Sequence, residues 1–400
     1  MVDNGDAIVL LEGARTPVGT FTGGLARVSA TELGVTAARA ALERSRVEPE
    51  QVDAAFVGNV IQSSRDAVYI ARHIALKAGI PETAPALTVN RLCGSGLEAI
   101  LQAARALRLG ESTMVLAGGA ENMSMTPHAI RDVRRGQGWG FGRNEVDDIL
   151  WSALTDTEAG CLIGETVEHL AAEEQITREE ADRFAVRSQT CAAQAQQRGR
   201  LAAEIVPVEI ASRKGRTTRI TQDEAIRPNT TMEALAGLPP IYPHIGSICS
   251  AGNSSGLNDA AAMLVVTTAR RANTLGLKPL GRLVSWGISG IAPRRMGLGP
   301  VEACQQALGR AGVSMSEVDV IEINDAFTAQ AIAVERALNL DRERINPNGG
   351  CLALGHPMGA SGTRLALTAL YELRERSSRY ALTTLSIGGG MGIAALFEAM

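Results

Sequence analysis

Aromatic residues make up only 3% of this 400-residue chain, so platforms for stacking nucleic-acid bases are not expected. The charge balance gives no general attraction to nucleic acid either, because 39 Lys and Arg oppose 43 Asp and Glu, a net charge of −4. No apolar run approaches the length that spans a membrane, and the run at 7–11 is too short for a signal-peptide core. We therefore expect a globular protein with neither a nucleic-acid partner nor a membrane span.

Ligand spacings for metals and phosphates are also missing. The six cysteines include no CxxC pair, and the five histidines include no HxxxH pair, so no metal site is predicted. The chain lacks GxGxxG after a strand and GxxxxGK[ST], and we predict no permanently bound cofactor. Cysteines scattered through so long a chain are typical of reduced thiols, which predicts a cytoplasmic protein.

The chain does contain an internal repeat. Residues 37–59 resemble residues 303–325 at a constant offset of 266, which pairs Leu42 with Leu308 and Asp53 with Asp319. The same offset overlays CGSG, which begins at Cys93, on GASG in the second copy. Such a repeat predicts two α/β halves related by a pseudo-twofold axis.

Continuous apolar runs are typical of strands buried between helix layers, and they occur at 114–117, 263–268 and 318–323. Residues 120–245 have no counterpart in the second copy and include a helical stretch near 177–202. We interpret them as an insertion that covers the site and carries ligand contacts or an oligomer interface. The predicted domains are an N-terminal half (1–119 plus 246–272), an inserted loop domain (120–245) and a C-terminal half (273–400).

Cys93 is the leading candidate for a nucleophile. It follows the apolar segment 86–89 and precedes a helical pattern at 96–107, so we expect it at a strand-to-helix turn. The flanking glycines permit a sharp turn, and the N-terminus of the helix favours a thiolate. The alternative is a buried structural cysteine.

His356 lies between glycines in GHPMG, where Pro357 suits the first turn of a following helix. A Cys–His pair drawn from the two halves would supply a nucleophile and its base, although a turn histidine with a structural hydrogen bond is the alternative. Asn324 either orients a water, binds a carbonyl or caps a helix. The glycines that begin at Gly388 are expected to direct backbone N–H groups at an oxyanion.

Five ordered blocks along essentially the whole chain resemble the thiolase family of acetyl-CoA acetyltransferases and 3-ketoacyl-CoA thiolases. They are ARTPVGTFTGGL (14–25), NRLCGSG (90–96), AGNSSGLNDAAA (251–262), NDAF (324–327) with GGCLALGHPMGASG (349–362), and GGGMG (388–392). The resemblance implies duplicated α/β halves in a five-layered αβαβα sandwich with an inserted loop domain. It also implies CoA or acetyl-CoA as substrate, with a homodimer or homotetramer as the assembly.

The resemblance implies ping-pong acyl transfer, in which Cys93 takes the acyl group and His356 activates its thiol. A CoA thiol or an acetyl-CoA carbanion would then attack the acyl-enzyme. Asn324, through a water, and His356 would bind one thioester oxygen, and the N–H groups of Cys93 and Gly388 the other. The implied contacts to CoA and the acyl group are Arg227, Ser255, Met296 and Phe327. Nearby Arg213, Lys214, Arg216 and Arg219 either bind phosphates or form a solvated basic loop.

Ser386 stands where the family has an acid/base cysteine. A thiol has a reference pKa of about 8.5, whereas a serine hydroxyl stays protonated without a strong base. Losing a positioned acid/base costs on the order of 100- to 10,000-fold, so we expect carbanion chemistry to suffer more than acylation of Cys93. Three explanations remain open: an introduced replacement that stalls the enzyme, a natural substitution with slower catalysis or another base, and a relative that transfers or holds acyl groups without condensing them.

Two further departures affect the site. We hypothesise that the Cys351 thiol substitutes for the missing cysteine, against the alternative of a small packed residue. Leu162 and Ile163 replace a His-Met or Met-rich pattern of short-chain members, which favours a bulkier acyl group. A ketoacyl-synthase-like enzyme and a non-catalytic acyl-CoA-binding protein are the competing functions. The first would carry two catalytic histidines, and the second has only Ser386 in its favour.

Overall fold

The computed structural model describes residues 6–131, 133, 145–211 and 217–400. Within these residues the chain forms helices, strands and short 3₁₀ turns. The helices are α1 (Ala30–Ser45), α2 (Ile70–Lys77), α3 (Ser95–Leu109), α4 (Ile149–Ala153), α5 (Ile163–Glu173), α6 (Arg178–Gln197), α7 (Met232–Ala236), α8 (Ala269–Thr274), α9 (Gly299–Ala311), α10 (Thr328–Leu338), α11 (Cys351–Leu354) and α12 (Met358–Arg376). The strands are β1 (Ile8–Arg15), β2 (Gly19–Thr20), β3 (Ala54–Gly58), β4 (Ala86–Val89), β5 (Met114–Asn122), β6 (His128–Ala129), β7 (Asp147–Asp148), β8 (Thr155–Asp156), β9 (Cys161–Leu162), β10 (Val208–Ala211), β11 (Thr217–Ile220), β12 (Asn258–Thr268), β13 (Gly281–Gly290), β14 (Val320–Ile323), β15 (Tyr380–Ile387) and β16 (Met391–Ala399).

Local sequence signals fix several helix ends. Ser29 accepts a hydrogen bond from the Glu32 N–H while the Glu32 side chain reaches back, a capping box that starts α1. Thr177 and Glu180 start α6 in the same way, so the helical stretch predicted near 177–202 begins at Arg178. Gly110 ends α3 in the left-handed conformation that suits glycine.

The central strands follow the order β14-β15-β16-β13-β1-β12-β5-β3-β4, and β2 pairs with β12. Between β13 and β1 the pairing is brief, joining Val9 to Arg282 and Leu10 to Gly281. This junction divides an N-terminal sheet from a C-terminal sheet. β3 runs parallel to β4 and β5, and β14 runs parallel to β15, whereas the other central pairs are antiparallel.

Helices and sheets alternate in five layers. Leu33 of α1 and Ile70 of α2 belong to a core on the outer face of the N-terminal sheet. α3 and α12 lie between the two sheets, where Leu97 and Leu365 share a second core. α9 and α10 cover the outer face of the C-terminal sheet. The predicted αβαβα sandwich is confirmed.

The structure also confirms the predicted repeat. An offset of 266 residues carries Ala54, the start of β3, to Val320, the start of β14. The same offset carries Met114, the start of β5, to Tyr380, the start of β15. The apolar runs that predicted strands lie in β5, β12 and β14, and the whole of β15 is buried.

The two central helices meet through glycines at equivalent positions of the repeat. A Cβ atom at Gly96 would lie 2.8 Å from the Thr363 backbone nitrogen, and one at Gly362 would lie 2.3 Å from the Leu97 backbone nitrogen. Side chains at either position would separate the helices. The glycine crossing, as we call the contact of Gly96 and Gly362 with the facing helix, therefore brings the N-terminal ends of α3 and α12 together.

The chain between β5 and β12 adds α4 to α7 and short hairpins. Leu170 of α5 and Phe184 of α6 pack in the core that includes α10. The domain boundaries at 119 and 245 stay predictions, and β5 itself continues to Asn122. In the described part of the chain, no helix combines the length and apolar character needed to cross a membrane.

Candidate active site

Cys93 lies in the turn between β4 and α3, as the sequence predicts. Leu92, just before it, has a φ of 48°, in the left-handed region that non-glycine residues seldom adopt. Ser95 braces this turn: its hydroxyl accepts a hydrogen bond from the Arg91 N–H at 2.8 Å and donates to the Leu92 carbonyl at 2.6 Å. The strained turn holds Cys93 two residues before the first turn of α3.

His356 is presented by the equivalent turn of the second half, between α11 and α12. Gly355 has a φ of 110°, and a Cβ there would lie 2.6 Å from the Asn258 side chain, so only glycine fits. The His356 N–H donates to the Asn258 side-chain oxygen at 2.9 Å. Pro357 caps α12 and so lies one position before the helical turn where it was predicted.

Hydrogen bonds around the imidazole define its tautomer. The Ser361 hydroxyl donates to the Pro357 carbonyl at 3.0 Å, and its oxygen lies 2.7 Å from His356 Nδ1. A hydroxyl has one proton, so Nδ1–H donates to Ser361 and Nε2 keeps its lone pair. The Asn324 amide nitrogen lies 3.5 Å from Nε2. Asn324 follows β14 and does not cap α10, whose N-cap is Phe327.

The electrostatic environment keeps both reactive groups neutral at rest. Burial raises the pKa of the Cys93 thiol to about 11, against the opposing effect of backbone N–H groups of Gly388 and Cys93 itself. Burial, together with the nearby Arg364 charge, lowers the pKa of His356 to about 3. The resting pair is therefore a thiol and a neutral imidazole with a free lone pair.

Ser386 lies near the end of β15 and is only 4% exposed. The three glycines that follow have different roles. Gly389 and Gly390 adopt φ values of 80° and 78° in the turn to β16, and a Cβ at Gly390 would lie 2.1 Å from the Ile291 carbonyl. A Cβ at Gly388 would meet only ordinary contacts at 3.5 and 3.6 Å, so its importance lies in its backbone N–H near the Cys93 thiol.

One cavity of about 380 Å³ brings the predicted chemistry together. Five of the residues predicted to carry the chemistry line it: Cys93, Asn324, His356, Ser386 and Gly388. Its wall includes the predicted residues Leu162, Ile163, Ser255, Met296 and Phe327. Sequence reasoning missed the other large side chains of the wall, which are Met123, Trp151, Leu154, Ile241, Tyr242, Leu257 and Met358. The surroundings of Cys93 are thus almost entirely apolar.

Arg227 lies in a second cavity of about 800 Å³, not in the one that contains Cys93. The two cavities share Ile241, Ser254, Ser255, Gly256 and Leu257, so they adjoin, and Ser255 lies at the junction. Of the predicted basic cluster, Arg219 is on β11, is exposed and lines neither cavity. Arg213, Lys214 and Arg216 lie outside the described residues.

The hypothesis that Cys351 replaces the missing acid/base is wrong. Its sulfur accepts a hydrogen bond from the Arg364 guanidinium at 2.7 Å, and the side chain is fully buried in the central layer. It is not part of the cavity wall, and burial raises the pKa of its thiol to about 12. The short helix α11 turns this thiol toward the core rather than toward Cys93.

Two positioning groups were missed from the sequence. One is Ser361, whose position was detectable because the repeat overlays it on Ser95, which braces the Cys93 turn. The other is Glu121 at the end of β5, for which no sequence motif gave a signal. Its carboxylate accepts hydrogen bonds from Val60, Ile61 and Gly359 N–H groups and from the Asn59 side chain at 2.9–3.1 Å. Burial raises the pKa of Glu121 to about 7. It ties the loop after β3 to the start of α12.

Comparisons with known proteins agree with this geometry. Residues 8–270 match the family model "Thiolase, N-terminal domain", and residues 277–399 match "Thiolase, C-terminal domain". The mitochondrial 3-ketoacyl-CoA thiolase of Bos taurus is 42% identical over 98% of both chains, and the acetyl-CoA acetyltransferase of Cupriavidus necator is 44% identical over 98% of this chain and 99% of its own. The crystal structure of human mitochondrial 3-ketoacyl-CoA thiolase in complex with CoA superposes with a TM-score of 0.94, at 40% identity and 98% coverage of each chain. The chain therefore belongs to the thiolase family.

Proposed function

We propose that this chain is an acyl-CoA C-acyltransferase that works through an acyl group carried on Cys93. It cleaves a 3-ketoacyl-CoA with a CoA thiol or, in reverse, condenses acetyl-CoA with an acyl group. The observation that carries the proposal is that Cys93, His356 and Asn324 meet in one apolar cavity, which adjoins the wider cavity that Arg227 lines. Two catalytic histidines, which a ketoacyl-synthase-like enzyme requires, are not found in the described residues of that cavity.

In the first half-reaction, Cys93 Sγ attacks the substrate carbonyl while His356 Nε2 accepts the thiol proton. Because the pKa of His356 is lowered, its imidazole is neutral throughout the physiological range and can accept a proton at Nε2. A resting thiolate is not needed, since proton transfer accompanies attack. The carbonyl oxygen becomes negative as the bond forms, and preorganised donors stabilise it more than they stabilise the ground state.

Two sets of donors suit the two thioester oxygens. The backbone N–H groups of Cys93 and Gly388 approach the sulfur and would face the oxygen of the group bound to it. His356, once its Nε2 has taken a proton, and Asn324, through a water, would face the oxygen of the second thioester. The Asn324 side-chain oxygen is buried and has no hydrogen-bond partner among the described residues, which fits a site that a water or substrate completes.

The two adjoining cavities suit CoA in one orientation. The nucleotide would lie in the wider cavity beside Arg227, and the pantetheine arm would pass Ser255 toward Cys93. The acyl group would contact Leu162, Ile163, Met296 and Phe327, which are all apolar. The human relative with CoA bound supports CoA as the ligand class.

A labelling experiment tests the proposal. Incubation with acetyl-CoA labelled in the acetyl group should place one label on Cys93, detected by mass spectrometry of the peptide that contains it. C93A should take up no label, whereas C191A, which removes a thiol of α6 outside both cavities, should be labelled like the unaltered protein. Retention of the label in C93A would contradict a Cys93 acyl-enzyme.

We also propose that the chain is a homodimer in a reducing compartment such as the cytoplasm. β4 is the last strand of the central order, and large apolar side chains around it are exposed: Val68, Tyr69, Leu76 and Leu87. An uncovered edge strand with apolar neighbours favours a partner surface. All six cysteines are free thiols, which supports the compartment. Light scattering should give the mass of two chains, and L87D should shift it toward one, whereas a tetramer would give four.

A further inference from the structure

Few groups in the Cys93 cavity can move a proton. Among the described residues of its wall, the titratable side chains are those of Cys93, Tyr242 and His356, and none is a carboxylate. Ser254, Ser255 and Ser386 add only alcohols, which stay protonated without a strong base beside them. His356 is already engaged as the base for Cys93, so a second acid must be sought elsewhere.

Tyr242 does not supply that second acid. Its hydroxyl packs against the backbone of α5, because a Cβ added at Gly164 would lie 2.1 Å from the tyrosine oxygen. Burial raises the pKa of Tyr242 to about 12, and the nearby Cys249, Glu165 and Glu168 act in the same direction. Cys351, the other thiol close in sequence to His356, faces Arg364 in the core. The cavity therefore holds one nucleophile and one neutral base.

One base is enough for moving an acyl group between two thiols. His356 takes the proton from Cys93 as the sulfur attacks acyl-S-CoA, and returns it to the departing CoA sulfur, leaving acyl-S-Cys93 and CoA-SH. The incoming thiol R-SH repeats these steps in reverse, leaving acyl-S-R and Cys93-SH. Every atom and proton is accounted for, and no oxidant or reductant enters.

Making or breaking a carbon–carbon bond has a further requirement. When the bond between C2 and C3 of a 3-ketoacyl-CoA breaks, the electron pair stays on C2, which must receive a proton. The proton that His356 takes from Cys93 balances this step too, but a carbanion is a far poorer leaving group than a thiolate and depends more on an acid placed beside it. A missing acid/base group lowers such a rate by about 100- to 10,000-fold. At the end of β15, the position where the family has its acid/base cysteine, this cavity has the Ser386 hydroxyl, which is a weak acid.

We propose, on the basis of the function above, that this site transfers acyl groups between thiols much faster than it makes or breaks carbon–carbon bonds. The acceptor is a thiol on a pantetheine arm. The junction of the two cavities, formed by Ile241, Ser254, Ser255, Gly256 and Leu257, is where a slender arm reaches Cys93 from the wider cavity. A thiol that carries a charged group close to the sulfur would have to desolvate that charge against an apolar wall.

The test compares two rates in the same protein preparation. Acetyl transfer from acetyl-CoA is followed with isotopically labelled CoA, with pantetheine and with glutathione as acceptors, and the CoA-dependent cleavage of acetoacetyl-CoA is followed separately. Transfer to CoA and pantetheine should exceed cleavage by at least about 100-fold. S386C should raise the ratio of cleavage to transfer by about 100- to 10,000-fold. C351S, the matched thiol control in the core, should leave that ratio unchanged.

Three results would overturn the inference while leaving the Cys93 acyl-enzyme intact. The first is a cleavage rate within tenfold of the transfer rate in the unaltered protein. The second is a ratio of cleavage to transfer that S386C leaves unchanged although the variant melts at the same temperature. The third is acetyl transfer to glutathione as fast as to pantetheine. Absence of both acetyl transfer and the Cys93 adduct would instead contradict the proposed function itself.

Discussion

Ser361 should control the rate of Cys93 acylation through the tautomer of His356. In the structure, the Ser361 oxygen accepts the Nδ1 proton at 2.7 Å while its own proton goes to the Pro357 carbonyl. S361A removes that acceptor at a fully buried position. The imidazole must then either leave Nδ1–H without a partner or move its proton to Nε2, the nitrogen proposed to act as base.

The magnitude follows from the cost of an unpaired buried donor, about 1–3 kcal/mol. At 1.36 kcal/mol for each factor of ten, the Nδ1–H tautomer is disfavoured by about 5- to 150-fold relative to the unaltered protein. The acylation rate constant should fall by up to that factor, because only the population with a free Nε2 lone pair accepts the thiol proton. The KM for acetyl-CoA should change little, since Ser361 lines neither cavity.

Rapid quenching after mixing with labelled acetyl-CoA measures the acylation rate, and nitrogen-15 NMR of the imidazole reports the tautomer. A merely structural role for Ser361 would lower the melting temperature without moving the nitrogen shifts. The reasoning is refuted if S361A keeps the Nδ1–H tautomer and acylates Cys93 within twofold of the unaltered rate.

Four further outcomes follow from buried groups and from the helix contact. E121Q should lower the free energy of unfolding by about 1–3 kcal/mol, because the new amide NH₂ would face backbone N–H groups that now donate to the carboxylate. The same variant should speed alkylation of Cys93 at pH 8, because it removes a carboxylate charge that helps to raise the pKa of that thiol. Cys93 alkylation in the unaltered protein should rise with pH up to about 11, the raised pKa of its thiol, with no step at the ordinary histidine pKa. Burial raises the pKa of Glu322 to about 8. The stability that its protonated form contributes is therefore complete below the unfolded pKa near 4.5 and is lost as pH rises through 8. Thermal melts of E322Q should show a smaller fall in melting temperature between these pH values. G96A should lower the free energy of unfolding by about 1–3 kcal/mol and slow the acylation of Cys93. G309A in α9 should not destabilise the protein, because its Cβ would meet no described atom within 4 Å other than nearby backbone of its own helix. Melts that rank the two variants the other way would contradict the helix contact.

The continuous apolar runs and the internal repeat predicted two α/β halves whose strands are buried between helices. The resemblance to the thiolase family added the five-layered sandwich to that prediction. The repeat then placed Cys93 and His356 at equivalent turns, where the structure also has them. Neither signal could give the direction of a side chain. Cys351 lies five residues before His356, yet α11 turns its thiol toward Arg364.

Contacts across long sequence separations were equally hidden. Glu121 meets Gly359 through a hydrogen bond between residues 238 positions apart, and no local pattern marks such a partner. Arg227 was assigned with the other ligand contacts, but the structure places it in the wider cavity, one junction away from Cys93. Separation between the cavities depends on how the inserted segment packs, which periodicity does not encode.

The glycine crossing has a consequence for how the two halves must behave. One half carries the Cys93 sulfur and the other carries the His356 nitrogen that we propose as its base, and close backbone contacts between α3 and α12 fix their relative position. If one half slides against the other, the distance between Cys93 Sγ and His356 Nε2 changes directly. Because the β13–β1 pairing is brief, the contact between α3 and α12 limits how far the two halves can move against each other. The stiffness of this contact should therefore also set the rate of proton transfer.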